Sequence, residues 1–245
     1  MSDFLPLARM WPQSLHQPNV FDAREHRVAA GTAGQRGTEK ENTMATMDLD
    51  RVIAESIYLP PPALSSPATL AQALAGRQSG RAFRPDPLPL AVLSALLWSA
   101  NGINRKNSGG RTAPSAHNWQ EIEVYAVLPG GAYRYDAPVH RLCRVSADDL
   151  RGATGSQDFV ASVPLNLVYA AEFARMREAS DEERTFLAGA DAGCIAQNVY
   201  LFCAGAGLAT VVRGLIDRGR LAEVLGLPQT QRIALAQSVG YPQPA

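Results

Sequence analysis

Arg111–Tyr125 reads RTAPSAHNWQEIEVY. Two hydroxyls, a proline, a histidine, an asparagine and a glutamine crowd its first part. From Glu121 an alternation begins in which Ile122, Val124 and Ala126 face one way and Glu121, Glu123 and Tyr125 the other. That period of two marks a half-buried strand. A polar loop that feeds such a strand is anchored at the edge of a core, a position from which loops commonly present binding groups.

Working outward, the strand Glu121–Leu128 is followed by Pro129-Gly130-Gly131, hairpin turn chemistry, and by a second strand over Ala132–Asp136. Arg141–Val145 extends the meander, a short helix starts at Ser146, and Pro164–Ala171 carries the buried strand LNLVYAA. Ser180 and Glu183 form a capping box with acidic residues in the first turn, so a long helix runs from there to Gly205 or Gly207. Its stripe Phe186, Ala190, Cys194, Gln197 and Leu201, with many small residues around it, predicts a central helix packed on several sides. Leu208–Val212 is a strand, Arg220–Leu225 a helix and Ile233–Val239 a final strand. Upstream, Leu49–Ile57 reads as a short amphipathic helix. Ser66-Pro67 opens another that runs to about Arg77, with Ser at the N-cap and Pro at the first position. Pro89 begins a third, ending at Asn101-Gly102, a pair suited to a left-handed cap. The fold class is α+β, a mostly antiparallel sheet flanked by helices.

The chain has 245 residues, 23 basic and 23 acidic side chains and a hydrophobic fraction of 46%. This suits a single domain with a real core and gives no reason to expect a nucleic-acid partner. Cys143, Cys194 and Cys203 are too few and too scattered for a disulfide framework or a zinc site, so no metal is expected. No apolar run reaches the length of a membrane span and no secretion signal opens the chain, so a cytoplasmic protein with reduced thiols is expected. Residues 1–46 lack any sustained pattern, and their Gly-, Thr- and charge-rich second half cannot bury enough surface to order itself. They read as a dispensable extension or as a start assigned too early, before a single domain over 47–245.

Several familiar chemistries are absent from the sequence. It contains no GxSxG elbow, phosphate loop or HExxH, and His16, His26, His117 and His140 are dispersed. AGAGLAT, Ala204–Thr210, follows a helix rather than a strand and lacks the third glycine of a dinucleotide fingerprint. What remains is Arg77-Gln78-Ser79-Gly80-Arg81, two guanidiniums, an amide and a hydroxyl at a helix end. Guanidiniums bind phosphate through paired charge-assisted hydrogen bonds. Taken alone, the segment reads more readily as a solvated basic helix terminus, which also suits the helix dipole.

RQSGRAF, then PSAHNWQ, then DAGCIAQNVYLFCAGAGLAT, then VGYP form an ordered set that resembles the FMN-dependent nitroreductase family, in particular its azoline-oxidase-like, peptide-dehydrogenase branch. The resemblance covers about Leu70 to Pro242. It implies an intertwined homodimer with FMN in clefts at the interface, a small-molecule substrate and NAD(P)H as electron donor. No catalytic side chain is implied, the chemistry being that of flavin N5. Arg77, Gln78, Ser79 and Arg81 match the segment that reaches the flavin phosphate, ribityl chain and pyrimidine end. Pro114, Ser115 and Asn118 match the family's P-S-x-x-N loop, with Gln120 beside it as a second amide able to donate and accept. Thr210 to Arg213 and Gly214 match the strand and turn beside N5. This sequence departs from the family in having no Lys or Arg after the last strand, where many members reach the phosphate. Arg213 and Arg111 are the candidates to replace it. Two alternatives stand beside the oxidoreductase: a flavin-binding module without turnover, and a peptide dehydrogenase working with a partner protein.

Overall fold

The structure is a computed structural model and describes residues 56–63 and 68–244. Its strands are β1 (Ser56–Tyr58), β2 (Ile103–Arg105), β3 (Gly110–Arg111), β4 (Ile122–Leu128), β5 (Gly131–Asp136), β6 (Arg141–Ser146), β7 (Leu165–Glu172), β8 (Ala209–Arg213) and β9 (Gln231–Gly240). Its helices are α1 (Leu70–Gly76), α2 (Leu90–Asn101), α3 (Asp181–Ala206) and α4 (Arg218–Val224). Seven strands form one sheet in the order β1-β6-β5-β4-β7-β9-β8, every neighbouring pair antiparallel, while β2 and β3 pair as a separate ribbon.

The apolar run of β7 is explained by cover on both faces. Leu165, Leu167, Tyr169 and Ala171 join a core with α2 and α3, while Val168 and Ala170 pack with Leu221 and Leu225 at α4. A strand buried on both faces reads as a continuous apolar run rather than an alternation. The 26-residue helix α3 begins at Ser180, whose hydroxyl accepts the Glu183 N–H while the Glu183 carboxylate accepts the Ser180 N–H. It ends where Gly207 adopts φ 68°, the left-handed cap.

The structure corrects several expectations. Ser56 and Ile57 are not helical but pair with Cys143 and Leu142 at the sheet edge; the rest of the helix expected from Leu49 lies outside the described residues. The expected cap Ser66-Pro67 also lies outside them, and α1 is capped by Thr69, which shares a capping box with Gln72. Gly102 has φ −75°, an ordinary value; a Cβ there would come within 2.5–2.6 Å of Trp98, so close approach requires the glycine, not a left-handed turn. Helical turn after β6 is confined to Arg151–Thr154 rather than starting at Ser146. The buried stripe of α3 is Ala188, Ala192, Ile195, Val199 and Cys203; Phe186 is 73% exposed. The helix is apolar or small on several sides, so its period did not single out the face that meets the sheet.

Candidate functional site

The Arg77–Arg81 segment leaves α1 in extended conformation and runs along the open edge of β8. The Gly80 N–H donates to the Thr210 carbonyl at 3.0 Å, and a Cβ on Gly80 would stand 3.2 Å from that of Ala209. On its other side the segment is fastened to the end of the chain. Gln243 N–H donates to the Ala82 carbonyl, Arg84 N–H to that of Tyr241, and Phe83 bridges Pro242. A cleft of about 390 Å³ opens here, lined by Gln78, Gly80, Arg81, Tyr200, Thr210 and Gln243 among others. The position where the family resemblance implies a Lys or Arg beyond the last strand is therefore next to neutral Gln243, whose amide donates to the Phe83 carbonyl.

The two arginines of the segment differ from most of the others. Arg77 lies 5.3 Å from the centroid of the Tyr200 ring, Arg81 is exposed at the cleft, and neither guanidinium donates to another group among the described residues. With the exception of Arg105, the remaining described arginines donate to carboxylates, carbonyls, amides or hydroxyls. Ser79 is exposed, with its Oγ 2.8 Å from the Tyr200 hydroxyl.

Arg213 is turned inward and is only 5% exposed. Its guanidinium donates to Ser238 Oγ, Thr154 Oγ1, the Thr154 carbonyl, Gln157 Oε1 and Asn166 Oδ1. Burial without a carboxylate partner pulls its pKa down to about 10. Arg111 donates to Gln120 Oε1 and the Asn101 carbonyl, and burial lowers its pKa too. Both candidate replacements for the missing cation thus have internal partners; of the Arg213-Gly214 pair, only Gly214 is exposed.

The loop that opens the sequence reading is held strained. His117, Asn118 and Gln120 have φ of 49°, 54° and 50°, left-handed conformations that non-glycine residues sustain only when their surroundings over-determine them. Gln120 supplies much of that constraint. Its N–H donates to Ser115 Oγ, its Oε1 accepts from Arg111, and its Nε2 donates to the Gly109 carbonyl and to Asn118 Oδ1. Gln120 is therefore a buttress, its amide already engaged, whereas the Asn118 side chain is exposed and its Nδ2 donates to no other group among the described residues. Pro114 is exposed and Ser115 half-buried.

Beneath the loop, Asp191 of α3 accepts the Ala116 N–H at 2.7 Å. The Asp191 carboxylate lies against Glu121, which is wholly buried and receives no hydrogen bond on either carboxyl oxygen. Burial, reinforced by Asp191, raises the Glu121 pKa to about 7. A carboxyl buried without a donor and close to a second acidic side chain is held in its neutral form further up the pH scale than a solvated one.

Sequence reasoning missed Asp191, Tyr200 and Gln243. Asp191 was detectable as an acid within an otherwise small and apolar helix stretch; nothing local marks the other two. The helix also separates the site into halves. Tyr200 stands by Arg77 and Ser79, Asp191 stands by the Ser115–Gln120 loop, and nine residues put them roughly 14 Å apart along the axis.

The sheet order, the long central helix and the ordered motifs agree with a comparison to known proteins: the profile described as "Nitroreductase family" matches residues 74–241. The chain belongs to the nitroreductase family. A Methanocaldococcus jannaschii protein assigned as a nitroreductase is 29% identical over 170 residues, covering 65% of this chain and 85% of the relative. The crystal structure of a protein from Ralstonia eutropha, also assigned as a nitroreductase, superimposes with TM-score 0.75 at 45% identity, over 78% of this chain and 91% of that one. The Escherichia coli microcin synthetase complex shares the fold at TM-score 0.62 and 18% identity, covering 89% of this chain and 85% of that one. Family membership supports an oxidoreductase, and no helix among the described residues is long and apolar enough to cross a membrane.

Proposed function

We propose that the protein is an FMN-dependent oxidoreductase that takes a hydride from NAD(P)H and reduces a small organic acceptor. The observation that carries this reading is the pair Arg77 and Arg81. They are uncommitted cations beside a polar cleft, in a chain whose other described arginines, Arg105 apart, have internal partners. A flavin mononucleotide fits such a donor set. Arg77 and Ser79 hold its phosphate, and Arg81 stabilises negative charge at the pyrimidine end. With Arg111 and Arg213 engaged elsewhere, the phosphate charge falls to the RQSGR segment. The bound flavin supplies hydride chemistry at N5; the protein supplies orientation, charge and a donor at Asn118 Nδ2.

The active form is a homodimer in this reading. The two motifs contact α3 at separate points, Tyr200 and Asp191, and the outer face of that helix leaves Phe186, Ala190 and Gln197 exposed. A second copy covers this face and sets the Asn118 loop of one chain against the RQSGR segment of the other. Likeness in fold to the microcin synthetase complex favours a second reading, a peptide dehydrogenase acting with a partner protein. The visible spectrum of the purified protein, followed by NAD(P)H oxidation, tests the proposal. A flavin band and turnover with a small acceptor are expected; a colourless protein that takes up no FMN contradicts it. A yellow protein without turnover is a flavin-binding module.

A further inference from the structure

Arg77 and Ser79 meet at one side chain to which the proposed function gives no role. Tyr200 projects from α3 toward β8 and is 7% exposed. Its ring lies under the Arg77 guanidinium. Its hydroxyl receives the Val212 N–H at 3.0 Å and stands 2.8 Å from Ser79 Oγ. Val212 belongs to β8, the last strand of the sheet, and the Thr210 carbonyl on the same open edge is taken by Gly80. Tyr200 and the RQSGR segment thus close this edge together.

The direction of the Ser79–Tyr200 bond follows from counting protons. A backbone N–H can only donate, so Val212 occupies a lone pair of the phenol oxygen. The phenol has one proton, and Ser79 Oγ is its acceptor among the described residues. A buried hydroxyl left without an acceptor is costly. Tyr200 therefore donates to Ser79, and the Ser79 proton points away from Tyr200 toward solvent. A bond accepted by each oxygen strengthens the one it donates.

We propose that Tyr200 is a positioning residue for a phosphate monoester: it stacks beneath Arg77 and orients Ser79 as a hydrogen-bond donor to the ligand. This rests on the reading of RQSGR as the seat of the FMN phosphate. Without Tyr200, Ser79 is free to rotate its proton elsewhere and Arg77 loses its platform.

The test is to titrate FMN and riboflavin into the wild type, Tyr200→Phe, Ser79→Ala and the double variant, following flavin fluorescence. Phenylalanine keeps the ring and removes only the hydroxyl. Tyr200→Phe is expected to weaken FMN about tenfold, the size of one hydrogen bond to a charged group. Riboflavin, which lacks the phosphate, should bind unchanged. Ser79→Ala should show a similar FMN-specific loss, and the double variant should be no weaker than Ser79→Ala alone. Unchanged FMN binding in Tyr200→Phe, equal losses for riboflavin, or losses that add would overturn the proposal. If Tyr200→Phe does not fold, Ser79→Ala decides: a tenfold FMN-specific loss supports the proposal, and wild-type affinity overturns it. FMN binding that Arg77→Ala with Arg81→Ala abolishes and Tyr200→Phe leaves intact would remove the role of Tyr200 alone. A wild type that binds no FMN would remove both readings.

Discussion

Replacing Glu121 by Gln should stabilise the protein at alkaline pH and change little at acid pH. Glu121 is wholly buried, its carboxyl receives no hydrogen bond, and its pKa is raised to about 7 against an ordinary 4.5. A folded-state pKa above the unfolded one means that the native protein holds a proton the unfolded chain releases. Stability therefore falls as pH rises from about 4.5 to about 7, and the loss is complete once the native carboxyl ionises too. At 1.36 kcal/mol per unit the full effect is of the order of 3 kcal/mol. Glutamine has nearly the size of the neutral acid and cannot ionise. Urea unfolding at pH 5, 6, 7 and 8 measures the difference between variant and wild type. The variant should gain steadily across the series, by up to about 3 kcal/mol at pH 8, or roughly 6–12 °C in Tm for a domain of this size. A difference independent of pH, or a variant weaker at every pH, would refute the raised pKa of Glu121.

Three further outcomes follow from named contacts. Arg213→Lys should cost roughly 2–4 kcal/mol in urea unfolding, because the three donors of one ammonium cannot replace the guanidinium's hydrogen bonds to Ser238, Thr154, Gln157 and Asn166; a stable variant with weakened FMN binding would instead make Arg213 a ligand. Gln120→Ala should weaken FMN severalfold by freeing the strained loop under Asn118, with about 1–2 kcal/mol lost from stability; unchanged affinity in equilibrium titration would show that Asn118 needs no buttress. His140 receives or gives hydrogen bonds at Tyr135, Ser94 and the Pro60 carbonyl, and burial lowers its pKa. Its contribution is present above the unfolded value of about 6.5 and is lost as pH falls through the lower folded value. The stability difference between wild type and His140→Gln should therefore shrink in acid, and a difference that is flat with pH would contradict this.

How far the sequence could be read depended on whether the deciding contact was local. The Ser180–Glu183 box, the Pro129–Gly131 hairpin and the two-faced burial of β7 are encoded within a few residues, and each stands where its pattern put it. Gly102 was misread because Asn-Gly suggests a left-handed turn, while the actual constraint is Trp98 four residues earlier folding back over it. The wrong stripe on α3 has a similar origin: a helix of small residues presents several plausible faces, and only the sheet selects one. Within RQSGR, Arg81 is exposed and Arg77 half-buried over Tyr200. Arg213 looked equivalent in sequence, and only the fold reveals Asn166, Thr154 and Ser238 gathered around it from distant segments.

The most direct measurement is FMN affinity in Arg77→Ala with Arg81→Ala, by fluorescence titration, with circular dichroism to verify folding. Neither guanidinium has a hydrogen-bond partner among the described residues, so the fold should survive their loss. Two charge-assisted contacts at roughly 1.5–3 kcal/mol each predict at least a hundredfold weaker binding. A folded double variant that binds FMN as tightly as the wild type would contradict the flavin site and leave RQSGR as a solvated helix end.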